Sequence, residues 1–422
     1  RQMCIRDRNM TEYKPHEIEV AVIGGGQAGL SASYYLKKHR ISHIVFERGQ
    51  AMEAWRAQRW DNFCLVTPNW QCQLPGHAYE GADPDGFMRK SEIIEYLEKF
   101  REKLDPPLRE GVEVTRVAPR AQGGFEIVTS EGRFAARQVI VASGGYREPI
   151  IPRFAERLPA GIFQIQSADY RNAAQLPEGE VLVVGSGQSG AQIAEDLHLA
   201  GKRVHLAVGN APRCARFYRG RDVVAWLADM GYYEMSVEEH PLREGVRDNT
   251  NHYVTGRDGG RDIDLRKFAA EGMQLYGALE GFVDGALRFK PGLTEALDAA
   301  DATYNSINAA IDKFIVTQKI EAPPPSTYQP VWHPQVEPEA LEVGRLAAII
   351  WCIGFKPDFG WLDAPVFNGA GRPAHQRGVT AQPGLYFLGL PWLHTWGSGR
   401  FSGVARDAAF IVQQIVTARA TA

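Results

Sequence analysis

No two of the five cysteines (Cys4, Cys64, Cys72, Cys214 and Cys352) form a C-x-x-C pair, and their number is odd. A disulfide framework, a zinc knuckle and the redox pair of a disulfide reductase are all poorly supported. The thiols read as ordinary cysteines of a reducing, cytoplasmic compartment. No apolar run approaches the ~18 residues of a membrane span. The opening RQMCIRDRNM lacks the apolar stretch of a signal peptide and reads like translated adapter sequence, with Met10 as a candidate start. Residues 1–16 are expected to be a non-native or disordered leader. Neither sign of charge dominates: 47 Lys plus Arg stand against 50 Asp plus Glu, a net charge of −3. That balance gives no electrostatic case for nucleic acid or a membrane surface as a partner. His252, His333 and His375 are isolated and show no metal-ligand spacing.

What is present is apolar and glycine-rich. Apolar residues are 44% and charged residues 23%, which fits a globular chain, and 422 residues allow two or three domains at ~150 each. Glycine, at 43 residues, exceeds the usual ~7%.

Two segments repeat one pattern. EIEVAVI reads as a buried parallel strand and runs into Gly24-Gly25-Gly26-Gln27-Ala28-Gly29, a helix-like LSASYYLKKH and the strand SHIVF, ending at Glu47. This is the strand–G-x-G-x-x-G–helix–strand–acid order of a dinucleotide site. Gly24 serves the tight turn, Gly26 the close approach of a pyrophosphate, Gly29 the helix–strand packing, and Glu47 the adenosine ribose. EVLVV then leads into Gly185-Ser186-Gly187-Gln188-Ser189-Gly190, a second helix and the strand RVHLAV. No carboxylate ends that strand; Arg213 and Arg216 follow shortly. A missing acid with nearby arginine admits a 2′-phosphate, so NADPH is expected over NADH, with a solvated arginine loop as the alternative. Two sites of different preference imply hydride transfer from NADPH to a flavin in the first domain.

The expected fold is α/β with two nested Rossmann-like domains. Residues 17–148 plus 326–422 would bind FAD and residues 149–325 NADPH, with a helical insert over about 219–325. Apolar strands running into Ser143-Gly144 and Ile353-Gly354 mark the crossings between them.

With both fingerprints, these crossings, Trp55-Arg56 and the segment WDNFCLVTPNWQCQLPG, the chain resembles the class B flavin-containing monooxygenases from about Glu17 to Val416. The resemblance implies an FAD- and NADPH-dependent monooxygenase. It would add oxygen from O2 to a small nitrogen- or sulfur-containing substrate through a C4a-hydroperoxyflavin. It assigns cofactor contacts to Gly24, Gly26, Gln27, Ala28, Gly29, Glu47, Arg48, Trp55, Arg56, Ser143, Gly144, Gly185, Gly187, Gln188, Ser189, Gly190, Gly389 and Arg400, beside Arg213 and Arg216. Among bacterial members the chain is similar to a subgroup often encoded beside a nitrilase, which implies a small nitrogenous substrate.

Two departures stand out. Gln166 replaces the histidine of the family's identifying motif, and can donate a hydrogen bond but not titrate. Val66 replaces an asparagine that faces the flavin in animal-type members. Thr67, Asn69 and Gln71 are the candidates to supply the missing hydrogen bonds. Without them the expected activity is an NADPH oxidase or dehydrogenase on the same scaffold. A non-catalytic flavoprotein partner is the reading that two complete nucleotide loops disfavour. The substrate pocket is expected to draw on Arg219 to Pro325.

Overall fold

The computed structural model describes residues 16–421. The expected leader falls on residues 1–15, outside the described residues, except that His16 already belongs to the first strand. In chain order the elements that build the site are β1 (His16–Ile23), α1 (Gln27–Lys38), β2 (His43–Phe46), β3 (Gly132–Val141), β4 (Glu180–Val184), α2 (Gln188–Leu199) and β5 (Val204–Ala207). They continue with α3 (Leu293–Gln318), β6 (Leu346–Trp351), β7 (Leu385–Phe387) and α4 (Val404–Thr421).

The first sheet is centred on β1, paired in parallel with β2 on one side and β3 on the other, with β7 parallel to β3 beyond. Val20, Ala21 and Val22 are fully buried, because a central parallel strand has both faces covered. On one face α1 packs against α4 through Leu30, Leu36, Val404, Ile411 and Ile415. Burying each such side chain contributes about 1.5–3 kcal/mol. The opposite face of β3 is covered by Phe125, Ile127 and the loop residues Leu362 and Val366.

The second sheet is wholly parallel, in the order Phe163–Gln166, β6, β4, β5, Gln274–Tyr276. Strand β6 therefore lies between the motif strand and β4. This moves the domain boundary expected at residue 326 to the second crossing, at Ile353-Gly354. The reason is register: β6 pairs Leu346 to Trp351 along the length of β4. The crossings lie side by side, since Glu148–Pro149 pairs antiparallel with Phe355–Lys356.

The insert is not mainly helical. It holds a short helix at Val223–Asp229, another at Leu265–Ala270 and the long α3. Between them Gln274–Tyr276 extends the second sheet, and Leu279–Val283 forms a hairpin with Ala286–Phe289. Asp284 and Gly285 both have positive φ, as a two-residue hairpin turn requires. Among the described residues no helix is long and apolar enough to cross a membrane.

Candidate active site

The two glycine loops are built alike. At the end of β1, Gly24 has φ +112°, and a Cβ there would lie 2.4 Å from the Ala142 carbonyl oxygen. At the end of β4, Gly185 has φ +100°, and its Cβ would meet the Cys352 carbonyl oxygen at 2.5 Å. In each loop the first glycine lets the chain pass against one of the crossings. The second glycine faces space: nothing of the protein lies within 4 Å of a Cβ on Gly26, and only Thr250 Cγ2, at 3.7 Å, near one on Gly187. Gly29 and Gly190 close each turn against the carbonyl of the first glycine.

Gly26 and Gly187 are also the N-caps of α1 and α2, and neither receives a side-chain cap. The first turns, Gln27-Ala28-Gly29 and Gln188-Ser189-Gly190, therefore offer N–H groups outside the helices' own ladders, together with the positive dipole end. These are donor sets for a pyrophosphate. Glu47 Oε2 accepts from Gly25 N at 2.7 Å and Oε1 from Gly49 N at 2.8 Å. The carboxylate is thereby fixed at the end of β2, with lone pairs to spare for ribose hydroxyls. Arg48 beside it is exposed. The residues present thus fit the adenosine and pyrophosphate of FAD at the first loop and a second dinucleotide at the other.

The C-terminal segment closes the first loop. Gly389 packs on Ala28, and Gln27 links two elements: its Nε2 donates to the Gly399 carbonyl (3.3 Å) and its Oε1 accepts from Trp55 Nε1 (3.1 Å). Trp55 stacks on Phe401, ring centroids 4.9 Å apart. Ser402 Oγ is buried without a partner just before α4. Arg400 lies 3.8 Å from the Trp396 centroid and donates to Asn251 Oδ1 at 2.8 Å. Burial lowers its pKa. Ser143 and Gly144 sit at the open end of β3, where a Cβ on Gly144 would meet nothing within 4 Å.

Several expected site residues are employed elsewhere. Arg213 and Arg216 are 2% and 1% exposed, too deep to meet a 2′-phosphate. Arg213 Nε lies 2.9 Å from Asp301 Oδ1, and its guanidinium is sandwiched by Tyr304 and Tyr328. Burial works against that charge, but Asp264 and Asp301 outweigh it and hold the pKa above its ordinary value. Arg216 pairs with Asp222 at 2.8 Å, covers the Phe87 ring and donates to the Val66 carbonyl at 2.6 Å. It is an anchor between the second domain and the loop that carries Val66. Arg56 is turned to Glu98 at 2.7 Å.

Of the three candidates near Val66, Asn69 is spent on its own loop. Its Nδ2 donates to the Asp83 carbonyl (2.9 Å), and its Oδ1 accepts from Met88 N (2.7 Å). Gln71 is buried with Oε1 unpartnered, on the stretch that reaches Phe401 through Gln73 N (3.2 Å). Thr67 is half-buried. Gln166 donates to Asp169 Oδ2 at 3.0 Å.

Sequence reasoning missed Asp196, on α2 and 3% exposed. Its Oδ1 accepts from Asn62 (2.8 Å) and Arg257 (2.7 Å), and its Oδ2 from Tyr170 (2.6 Å). Two adjacent acids, Glu195 and Asp196, in the helix segment AQIAEDL were the available signal.

Comparison with known proteins agrees with this geometry. The family model described as "Pyridine nucleotide-disulphide oxidoreductase" matches residues 21–238. An uncharacterized CzcO-like oxidoreductase of Geobacillus kaustophilus is 32% identical over 95% of this chain and 99% of its own. A probable indole-3-pyruvate monooxygenase of Arabidopsis thaliana, YUCCA3, is 27% identical over 64% of this chain and 66% of its own. The fold is shared with a flavin-containing monooxygenase from Stenotrophomonas maltophilia, at a TM-score of 0.63 and 21% identity, over 95% of this chain and 99% of that one. The likeness to flavin-containing monooxygenases read from the sequence is borne out.

Proposed function

This chain belongs to the pyridine nucleotide-disulphide oxidoreductase family, and on that premise we propose that it is an FAD-dependent, NADPH-using monooxygenase. The reaction is transfer of one oxygen atom from O2 to a small nucleophilic substrate through nitrogen or sulfur. The observation that carries this reading is the pair of like-built, uncapped glycine loops meeting at paired crossings. It provides two dinucleotide seats on one frame, as hydride transfer between cofactors requires.

Bound FAD would supply the electron store and the centre at which oxygen is activated. The α1 N–H groups hold its pyrophosphate and Glu47 its ribose, while Trp55, Gln27 and Phe401 close the loop over it. The α2 N-terminus holds the pyrophosphate of NADPH. With Arg213 and Arg216 internal, support for the 2′-phosphate rests on the end of β5, where Val208-Gly209-Asn210 carries no acid to repel it. Gln71 and Thr67 carry polar atoms left free on the loop after Val66, and both the Thr67 hydroxyl and the Gln71 amide nitrogen can donate. We place the reaction in the cytoplasm, consistent with free thiols at Cys64, Cys72, Cys214 and Cys352.

A second reading, an NADPH oxidase without oxygen transfer, is favoured by the internal use of the Asn69 amide. The deciding experiment incubates FAD-loaded protein with NADPH, labelled O2 and a panel of amines and thioethers. Labelled oxygen in an amine or sulfur product supports oxygenation; peroxide equal to NADPH consumed throughout supports the oxidase.

A further inference from the structure

Two half-buried guanidinium groups make no ion pair with a carboxylate among the described residues. Arg59 lies 4.9 Å from the Trp55 centroid and 5.4 Å from that of Phe63, and NH1 donates to the carbonyl of its own neighbour Gln58 at 2.8 Å. Burial pushes its pKa down to about 10, partly opposed by Tyr146. Arg400 covers Trp396, and its donors go to the Trp396 carbonyl and the neutral Asn251. Tyr146 also stands first among the groups that favour its charge. The acid nearest Arg59 in sequence, Asp61, is turned to Lys90 (3.9 Å) and Asn172 (2.6 Å). Arg56, Arg213, Arg216, Arg257 and Arg266, by contrast, each hold a carboxylate.

Both arginines are half-buried rather than sealed, and no nitrogen of either is a buried atom without a partner. Both guanidinium groups are therefore within reach of a ligand from solvent. A desolvated charge is costly unless an opposite charge meets it. Each guanidinium lies on an indole and keeps N–H groups beyond these few bonds to neutral oxygens, and a planar guanidinium matches a carboxylate. The cofactor phosphates have donors of their own in the uncapped starts of α1 and α2. The pair is left over for another anion. The two residues frame one place: Trp55, under Arg59, donates to Gln27, and Gln27 donates to Gly399, next to Arg400. Tyr146, 60% exposed, makes an edge contact with Phe355 and adds an apolar wall.

We propose that Arg59 and Arg400 are the recognition pair for a substrate carrying a carboxylate, an organic acid whose apolar body lies against Tyr146 and Trp396. The assignment rests on the oxygenase reading and narrows its substrate class.

The test is equilibrium binding to oxidised, FAD-loaded protein, read by flavin absorbance and calorimetry. The probes are 4-(methylthio)benzoate and its neutral amide, 4-(methylthio)benzamide. The acid is expected to bind at least about tenfold more tightly, the scale of one charged hydrogen bond. Arg59→Gln and Arg400→Gln each erase that preference. Arg59→Lys and Arg400→Lys retain part of it, as a point charge without the fork, and control for folding. FAD retention and NADP+ affinity are measured on the same variants. If FAD or NADP+ affinity falls while the acid preference survives, the arginines serve a cofactor phosphate and the proposal is overturned. Equal binding of acid and amide by the unaltered protein overturns it as well. Absence of oxygen transfer to any thioether would remove the oxygenase reading but leave the acid preference standing, so the two failures are distinguishable.

Discussion

Tyr170 donates its phenolic hydrogen to Asp196 Oδ2 at 2.6 Å, while the other oxygen of that carboxylate accepts from Asn62 and Arg257. One buried carboxylate thus ties together the segment before the second loop, the helix that begins at that loop, and the Asn62 loop of the first domain. Burial, and then Asp196 itself, raise the Tyr170 pKa, so the phenol is a neutral donor. Tyr170→Phe leaves the carboxylate one donor short and should cost about 1–3 kcal/mol. Asp196→Ala leaves Arg257 unpaired as well, and should cost more, about 3–5 kcal/mol. Urea unfolding measures both; equal midpoints for the two variants would count against a shared hub.

The open face of Gly26 predicts that the cost of a side chain there is paid by the ligand. Gly26→Ala meets no protein atom within 4 Å, so unfolding of the cofactor-free protein should shift by only a few tenths of a kcal/mol to about 1. Its FAD content after loading should fall at least about tenfold. Gly24→Ala, by contrast, places a Cβ 2.4 Å from the Ala142 carbonyl oxygen and should destabilise the apoprotein itself. Thermal unfolding with and without FAD separates the two.

Burial of Arg213 and Arg216 predicts effects on folding, not on nucleotide choice. Arg216→Leu leaves Asp222 as an unpaired buried carboxylate and should cost about 3–5 kcal/mol. Arg213→Lys keeps a charge beside Asp301 but loses the planar contacts to Tyr304 and Tyr328. Its ratio of kcat/KM for NADPH to that for NADH should stay within about twofold of the starting value, the scale of a few tenths of a kcal/mol. A tenfold fall in that ratio would return Arg213 to the nucleotide site.

Glu337 caps α3: its oxygens accept from the backbone N–H groups of Gly292, Leu293 and Thr294 and from Thr294 Oγ1. The Thr294 side chain and backbone lead in holding its pKa down to about 2. The folded value lies below the unfolded one, ~4.3. The stability this group contributes is therefore full above that pH and lost as pH falls toward 2. Glu337→Gln should cost about 1 kcal/mol at pH 7, a helix-cap magnitude discounted for solvent screening. The difference in Tm between the two proteins should shrink below pH 4.

The loops were legible because their chemistry is local: a strand, three glycines and a helix start lie within one short stretch. The hairpin at Asp284-Gly285 was equally local, yet its strands are brief and glycine-broken, and a helical period was read over them. Arg213 and Arg216 were misread for a different reason. Whether an arginine meets solvent or Asp301 depends on a chain segment far along the sequence, folded beneath it by tertiary packing. The same holds for Asn69, whose amide is spent on Asp83 and Met88 across its loop. The place of β6 in the second sheet could not follow from its composition, since apolar strands run into glycine at both crossings.

The most direct test of oxygenation is rapid mixing. FAD-loaded protein is reduced anaerobically with NADPH, then mixed with O2 while flavin absorbance and free peroxide are followed together. The account predicts reduction by NADPH in preference to NADH, then return to oxidised flavin in two steps, with peroxide release lagging oxygen uptake. A single-step return with peroxide appearing at the same rate, unchanged by any amine or thioether, would contradict it.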